Sequence, residues 1–292
     1  MILEKKQNFK SIWVYDLEQF PNFHSGMFYN IHTGEYKTFV IHKARNDVKE
    51  YIKFLESCNV LIGFNNINYD YPLLHFLLTN KNCSVEELYK ESQRIISELF
   101  PAIRNKYVLI KQVDLFRIWH FNNKARITSL KKLQVAMKWK KVQDLPLHYT
   151  TFIKEEQIED ILLYNKNDVD STYEFYLKSK KIIDLRKNIG KVYNINVINK
   201  PDAGMGEDIF ASSMAKELNM NLYDLKKLRT RRDNINFANC ILPYVKYKNV
   251  EFTTLLNKLK NTIISETKNA IKDSVIYKGF KYDFGTGKLN II

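Results

Sequence analysis

The run Trp13-Val14-Tyr15-Asp16-Leu17-Glu18 constrains this chain more than any other stretch. It has the apolar character of a buried strand, yet it carries two carboxylates two residues apart. Side chains alternate faces along a strand, so Asp16 and Glu18 point the same way, about 7 Å apart along the backbone. Two acids side by side on a buried strand repel each other and lose hydration, which is costly unless a cation sits between them. Hard carboxylate oxygens suit Mg²⁺ or Mn²⁺. A D-x-E pair also arises where a strand runs out into solvent, and the pair alone does not separate the two readings.

The length of 292 residues suits one large domain or two smaller ones. Hydrophobic residues at 45% and aromatics at 13% exclude a disordered chain. No apolar run approaches the roughly 18 residues a membrane span needs, so no membrane partner is expected. Met1 to Lys10 is polar, without the apolar core of a secretory signal. Cys58, Cys83 and Cys240 are far apart and odd in number, which predicts reduced thiols and a cytoplasmic setting. The net charge of +14 favours a polyanionic partner, and nucleic acid is the usual one. Lys and Asn richness inherited from an AT-rich genome is the competing account of that charge.

In chain order, strands are expected near residues 12–18, 26–31, 36–41, 60–64 and 107–113, with Thr33-Gly34 turning the second into the third. Val48, Tyr51, Ile52 and Leu55 have helical spacing after Asp47. Val60 to Phe64 is the continuous apolar strand of a parallel or mixed sheet. Pro72 suits the first turn of a helix that buries Leu73, Leu74, Leu77 and Leu78. Asp70 then sits at the helix N-terminus, either as a first-turn acid or facing Asp16 and Glu18. Ser84 and Glu87 form a capping box for a helix to about Leu99. Asp114 follows a strand and reads either as a structural residue, the favoured role, or as a fourth acid. Ser129 caps a helix bearing Leu130, Leu133 and Met137. Trp119 and Trp139 read as packing. Gln157 to Lys178 is helical, which places Tyr164 and Asp168 on one face. Asp170 points elsewhere, toward solvent.

The pattern is D-x-E on a strand (Asp16, Glu18), N-x-x-x-Y-D at a helix start (Asn65, Tyr69, Asp70), and Y-x-x-x-D on a helix (Tyr164, Asp168). In that order it resembles the three motifs of the DEDD superfamily of 3′–5′ exonucleases, in the subclass whose third motif carries Tyr. The likeness spans roughly Lys10 to Tyr193 and is closest in flavour to the exonuclease domain of phage-type replicative DNA polymerases. The resemblance implies an α/β, RNase H-like fold, a mixed sheet flanked by helices. It implies two Mg²⁺ or Mn²⁺ ions: Asp16, Glu18 and Asp168 would hold one, and Asp16 would bridge to a second served by Asp70. Tyr164 would orient the attacking water. Asn65 and Tyr69 would lie near the substrate strand, with Phe20 and Phe64 against terminal bases or simply in the core. The implied activity is hydrolysis at single-stranded DNA 3′ ends, releasing nucleoside monophosphates. The setting would be proofreading for a phage DNA polymerase in the host cytoplasm. The sequence leaves open the same chemistry on RNA, and a DNA-binding or docking module of a split polymerase.

The expected division is 1–195 for the exonuclease domain and 196–292 for a smaller, mostly helical, basic accessory or polymerase-linking region ending in a hairpin. Glu207 to Leu218 reads as helix and Ser274 to Phe284 as paired strands. Leu225 to Arg232 concentrates Lys226, Lys227, Arg229, Arg231 and Arg232, either a track for a nucleic-acid backbone or a solvated helix end. Gly204-Met205-Gly206 is no dinucleotide fingerprint, and Phe284 to Asn290 is no P-loop. The latter weakly resembles the exonuclease-to-palm segment of phage polymerases.

Overall fold

A computed structural model of the chain describes residues 11–98, 102–123, 125–228, 232–265, 271–285 and 288–291. The chain divides into two compact units, 1–220 and 221–292.

The first unit is built on a six-stranded mixed sheet. Its elements are β1 (Ile12–Phe20), β2 (Phe23–Asn30), β3 (Tyr36–His42), β4 (Arg45–Asn46), α1 (Val48–Ser57), β5 (Val60–Gly63), α2 (Asp70–Thr79), α3 (Val85–Ser97), β6 (Lys111–Asp114), the single turn α4 (Leu115–Ile118), α5 (Leu130–Ala136), α6 (Ile158–Tyr193) and α7 (Asp202–Glu217). The strand order is β4-β3-β2-β1-β5-β6. β1, β2 and β3 pair antiparallel, and β5 and β6 continue the sheet parallel to β1.

Alternation along β1 divides the core. Trp13, Tyr15 and Leu17 face one cluster, shared with Tyr51 and Leu55 of α1, Leu73, Leu74 and Leu77 of α2, and Leu88 and Ile95 of α3. Val14 and Phe20 face the other, shared with Ile158, Ile161, Val169 and Phe175 of α6. Asp16 and Glu18 have the same parity as Val14, so they fall on the α6 side. The three fully buried leucines of α2 each contribute about 2 kcal/mol relative to exposure, which fixes the helix that starts at Asp70.

Local rules account for the element ends. Ser84 accepts from the Glu87 backbone N–H while the Glu87 carboxylate accepts from that of Ser84, closing a capping box on α3. Three boundaries differ from expectation. β1 runs on to Phe20 and turns through Pro21-Asn22 directly into β2, which therefore begins at Phe23. The strand expected over 107–113 is confined to Lys111–Asp114, because the backbone N–H groups of Leu109 and Ile110 donate to the Tyr71 hydroxyl (2.7 and 3.1 Å) and not to a strand. α6 continues for 36 residues to Tyr193 and stops where Asn194 turns left-handed (φ 52°).

The second unit holds α8 (Leu222–Lys227), β7 (Ile235–Asn236), α9 (Val250–Lys260), β8 (Ile263–Ile264), β9 (Lys272–Tyr277), β10 (Phe280–Gly285) and β11 (Lys288–Ile291). Lys278 and Gly279, both with positive φ (51° and 79°), make the two-residue turn that joins β9 to β10. The C-terminal part is thus not mostly helical with a terminal hairpin. It ends in a three-stranded antiparallel sheet, because β11 adds along β10. No helix among the described residues is long and apolar enough to cross a membrane.

Candidate metal centre

β1 pairs with β5 only as far as Val14↔Ile62, so Asp16 and Glu18 project beyond the carboxyl end of β5. In an open sheet with parallel strands, that edge is where a cleft forms. α6 crosses the same face and presents Tyr164 and Asp168, four residues apart and both buried. One carboxylate oxygen from each of Asp16, Glu18 and Asp168 falls within 4.8 Å of the others.

The electrostatics follow from that convergence. Burial raises the Asp16 carboxyl well above its usual range, and the charges of Asp70, Glu18 and Asp168 raise it further. Burial also raises Glu18, with Asp168 and Asp70 adding to the shift and Lys131 opposing it. Asp168 is raised by burial, against hydrogen bonds from Gln134, Tyr164 and Asn167 and the charge of Lys131. Asp70, 7% exposed, lies outside the three-acid group, and burial pushes it up to about 7. Its carboxylate accepts from the Leu17 backbone N–H, midway between Asp16 and Glu18. Burial, Asp168 and Glu18 all push the Tyr164 phenol above its ordinary value.

Several groups around these acids went unnoticed in the sequence. Gln134 of α5, fully buried, donates through Nε2 to Asp168 Oδ1 (2.9 Å) and Ser171 Oγ (2.8 Å). Asn165 of α6, also fully buried, donates through Nδ2 to Asp16 Oδ2 (2.8 Å). The Lys131 ammonium sits 5.1 Å from the Tyr164 ring centroid. The only signal for Gln134 is that it lies one turn beyond Lys131 behind the Ser129 cap. For Asn165 it is an asparagine, a poor helix former, inside a strong helix.

The residues present fit a divalent cation. The site brings three carboxylates, each raised by burial, within 4.8 Å of one another. Such an excess of acceptors is what a hard cation and its water would satisfy.

The other expected site residues are distributed as follows. Asn65 and Tyr69 flank the β5–α2 loop. Asn65 is left-handed (φ 62°), and its side-chain oxygen accepts from Asn68 Nδ2 (2.9 Å). Tyr69 is half-buried and feels the charges of Asp70, Glu18 and Asp16. Phe64 is half-buried and packs edge-on against Phe116 (5.3 Å). Of the two readings of Phe20 the core one holds, and contact with a base is overturned: the ring is fully buried against Phe23. Asp114 is structural, accepting from the backbone N–H groups of Asn65 (2.9 Å), Phe116 (3.0 Å) and Ile67 (3.3 Å). Asp170 is paired with Lys166 (2.7 Å). In the basic run, Lys227 and Arg232 are exposed. Arg229, Arg231 and the Lys226 side chain lie outside the described residues, as do Leu99 and Thr286-Gly287. Compared with protein-family models and with curated proteins, the chain matches none of them.

Proposed function

We propose that the chain is a divalent-metal-dependent 3′–5′ exonuclease of the DEDD type that trims single-stranded DNA ends and releases nucleoside monophosphates, proofreading for a DNA polymerase. One observation carries this reading: Asp16, Glu18 and Asp168 converge within 4.8 Å, with Tyr164 on the same helix face. Four antiparallel strands, β4 to β1, running into two parallel ones, with helices on both faces, support an RNase H-like fold.

In this reading Asp16, Glu18 and Asp168 would hold one Mg²⁺ or Mn²⁺, and Asp70 with Asp16 would serve a second. Bound there, the ions neutralise charge at the attacked phosphate and acidify water to a usable nucleophile at neutral pH. The chain's own groups supply orientation. The Tyr164 phenol keeps its proton and hydrogen-bonds Asp168, so its oxygen lone pairs are left to accept from a water and aim it. It positions and does not deprotonate. Asn65 and Tyr69 stand on the loop that leads to Asp70, where a strand end entering the cleft would pass. Phe64 offers a partial ring surface to a terminal base.

A second reading, a DNA-docking module without essential catalysis, is favoured by the basic second unit. It carries the run 226–232 and, beyond it, Lys246, Lys248, Lys258 and Lys260. The discriminating experiment is hydrolysis of single-stranded DNA and RNA oligomers in Mg²⁺, in Mn²⁺ and in excess chelator. Metal-dependent release of mononucleotides from DNA supports the exonuclease. Release from RNA alone reassigns the substrate, and full activity in chelator rules the metal chemistry out.

A further inference from the structure

Gln134 and Asn165 occupy their positions at an evident cost. Each is 0% exposed, and each leaves its amide oxygen buried without a partner. A buried, unpaired amide oxygen is destabilising, and an apolar side chain of similar size would avoid that. Gln134 is the one residue that α5 buries. What both amides gain is a single kind of contact, a donor to a carboxylate of the cluster: Gln134 Nε2 to Asp168 Oδ1 (2.9 Å) and Asn165 Nδ2 to Asp16 Oδ2 (2.8 Å). Ser171 braces the first of these. It accepts from Gln134 Nε2 (2.8 Å), and its hydroxyl donates to the Asp168 backbone carbonyl (3.1 Å).

We propose that Gln134 and Asn165 are positioning residues that commit one oxygen of Asp168 and one of Asp16, turn the other oxygen toward the centre, and thereby set its affinity for a divalent cation. This rests on the reading of the cluster as a metal centre. The residue type matters. Lys or Arg at either position would donate as well, but would place a fixed positive charge where the cation must bind. An amide orients the carboxylate and leaves its charge available. Groups that orient metal ligands typically govern 10–100-fold in affinity.

The test is a Mn²⁺ titration of the full chain, with free ion read by electron paramagnetic resonance. It compares wild type, Gln134→Met, Gln134→Asn, Asn165→Leu and Asp168→Asn, and pairs each titration with a urea midpoint in chelator. Gln134→Met and Asn165→Leu keep the volume and remove the donor, and Gln134→Asn retains the amide but shortens its reach. Each is expected to weaken Mn²⁺ binding about 10–100-fold while the midpoint in chelator holds or rises. On the Asp168→Asn background, Gln134→Met should cost nothing further, because its effect runs through Asp168. Affinities within about twofold of wild type overturn the proposal and leave the metal centre standing, as does a fall in the chelator midpoint alone, which marks a structural role. No Mn²⁺ binding by folded wild type removes both.

Discussion

Asp70, buried beside the cluster, offers a test of the site's electrostatics that needs no substrate. Its carboxyl is 7% exposed and is pushed by burial from 3.8 to about 7. Between those two values the folded chain retains a proton that the unfolded chain has released. The unfolded state therefore binds fewer protons, and stability falls as pH rises, until the loss is complete above about pH 7. From about pH 5.5 to about pH 8 this spans one and a half units below the folded value, worth about 2 kcal/mol. Asp70→Asn cannot ionise and should not lose it. Urea unfolding of both proteins in chelator gives the difference directly. The variant should gain about 2 kcal/mol on wild type between the two pH values, and saturating Mg²⁺ should shrink that gain by stabilising wild type. A wild-type-to-variant gap equal at both pH values would show that Asp70 ionises normally in spite of its burial.

Other expectations bear on the scaffold and on DNA. Burial lowers His24 to about 3, so the folded ring stays neutral while the unfolded one takes a proton below about 6.5. Its contribution is present above that pH and lost below it. His24→Gln should cancel about 2 kcal/mol of the wild-type loss between about pH 7 and pH 5, again by urea midpoints. Gly26→Ala should cost about 1–3 kcal/mol, because a Cβ there overlaps the Tyr51 hydroxyl and stands 2.7 Å from Tyr51 Cζ; Tyr51→Phe in the same chain should recover part of the loss. Replacing Lys226, Lys227, Arg229, Arg231 and Arg232 with Ala should lower the salt slope of single-stranded DNA binding by about 0.7 for each phosphate no longer neutralised, and an unchanged slope would mean the run does not touch DNA.

The parts of the molecule written in periodic patterns were legible in the sequence. The D-x-E strand, the four leucines of α2, the Ser84 box and the Tyr164–Asp168 face each follow from alternation, helical spacing or capping, and each appears where those rules put it. What escaped depends on contacts between distant segments. The late start of β6 is set by a hydroxyl about forty residues upstream, which no local pattern reveals. Phe20 shares parity with Asp16 and Glu18, yet the tight Pro21-Asn22 turn folds Phe23 against it and closes the core around it. Gln134 and Asn165 look like surface amides until α5 and α6 bring them onto the carboxylates.

Whether the converging acids cut DNA from its 3′ end is decided by a 5′-labelled single-stranded oligomer incubated with Mg²⁺ or Mn²⁺ and either wild type or Asp16→Ala. Wild type should give a ladder that shortens from the 3′ end. Asp16→Ala should leave the oligomer intact, with an unfolding midpoint in chelator at least that of wild type. Intact oligomer with folded, DNA-binding wild type, or an equal ladder from Asp16→Ala, would contradict the exonuclease assignment.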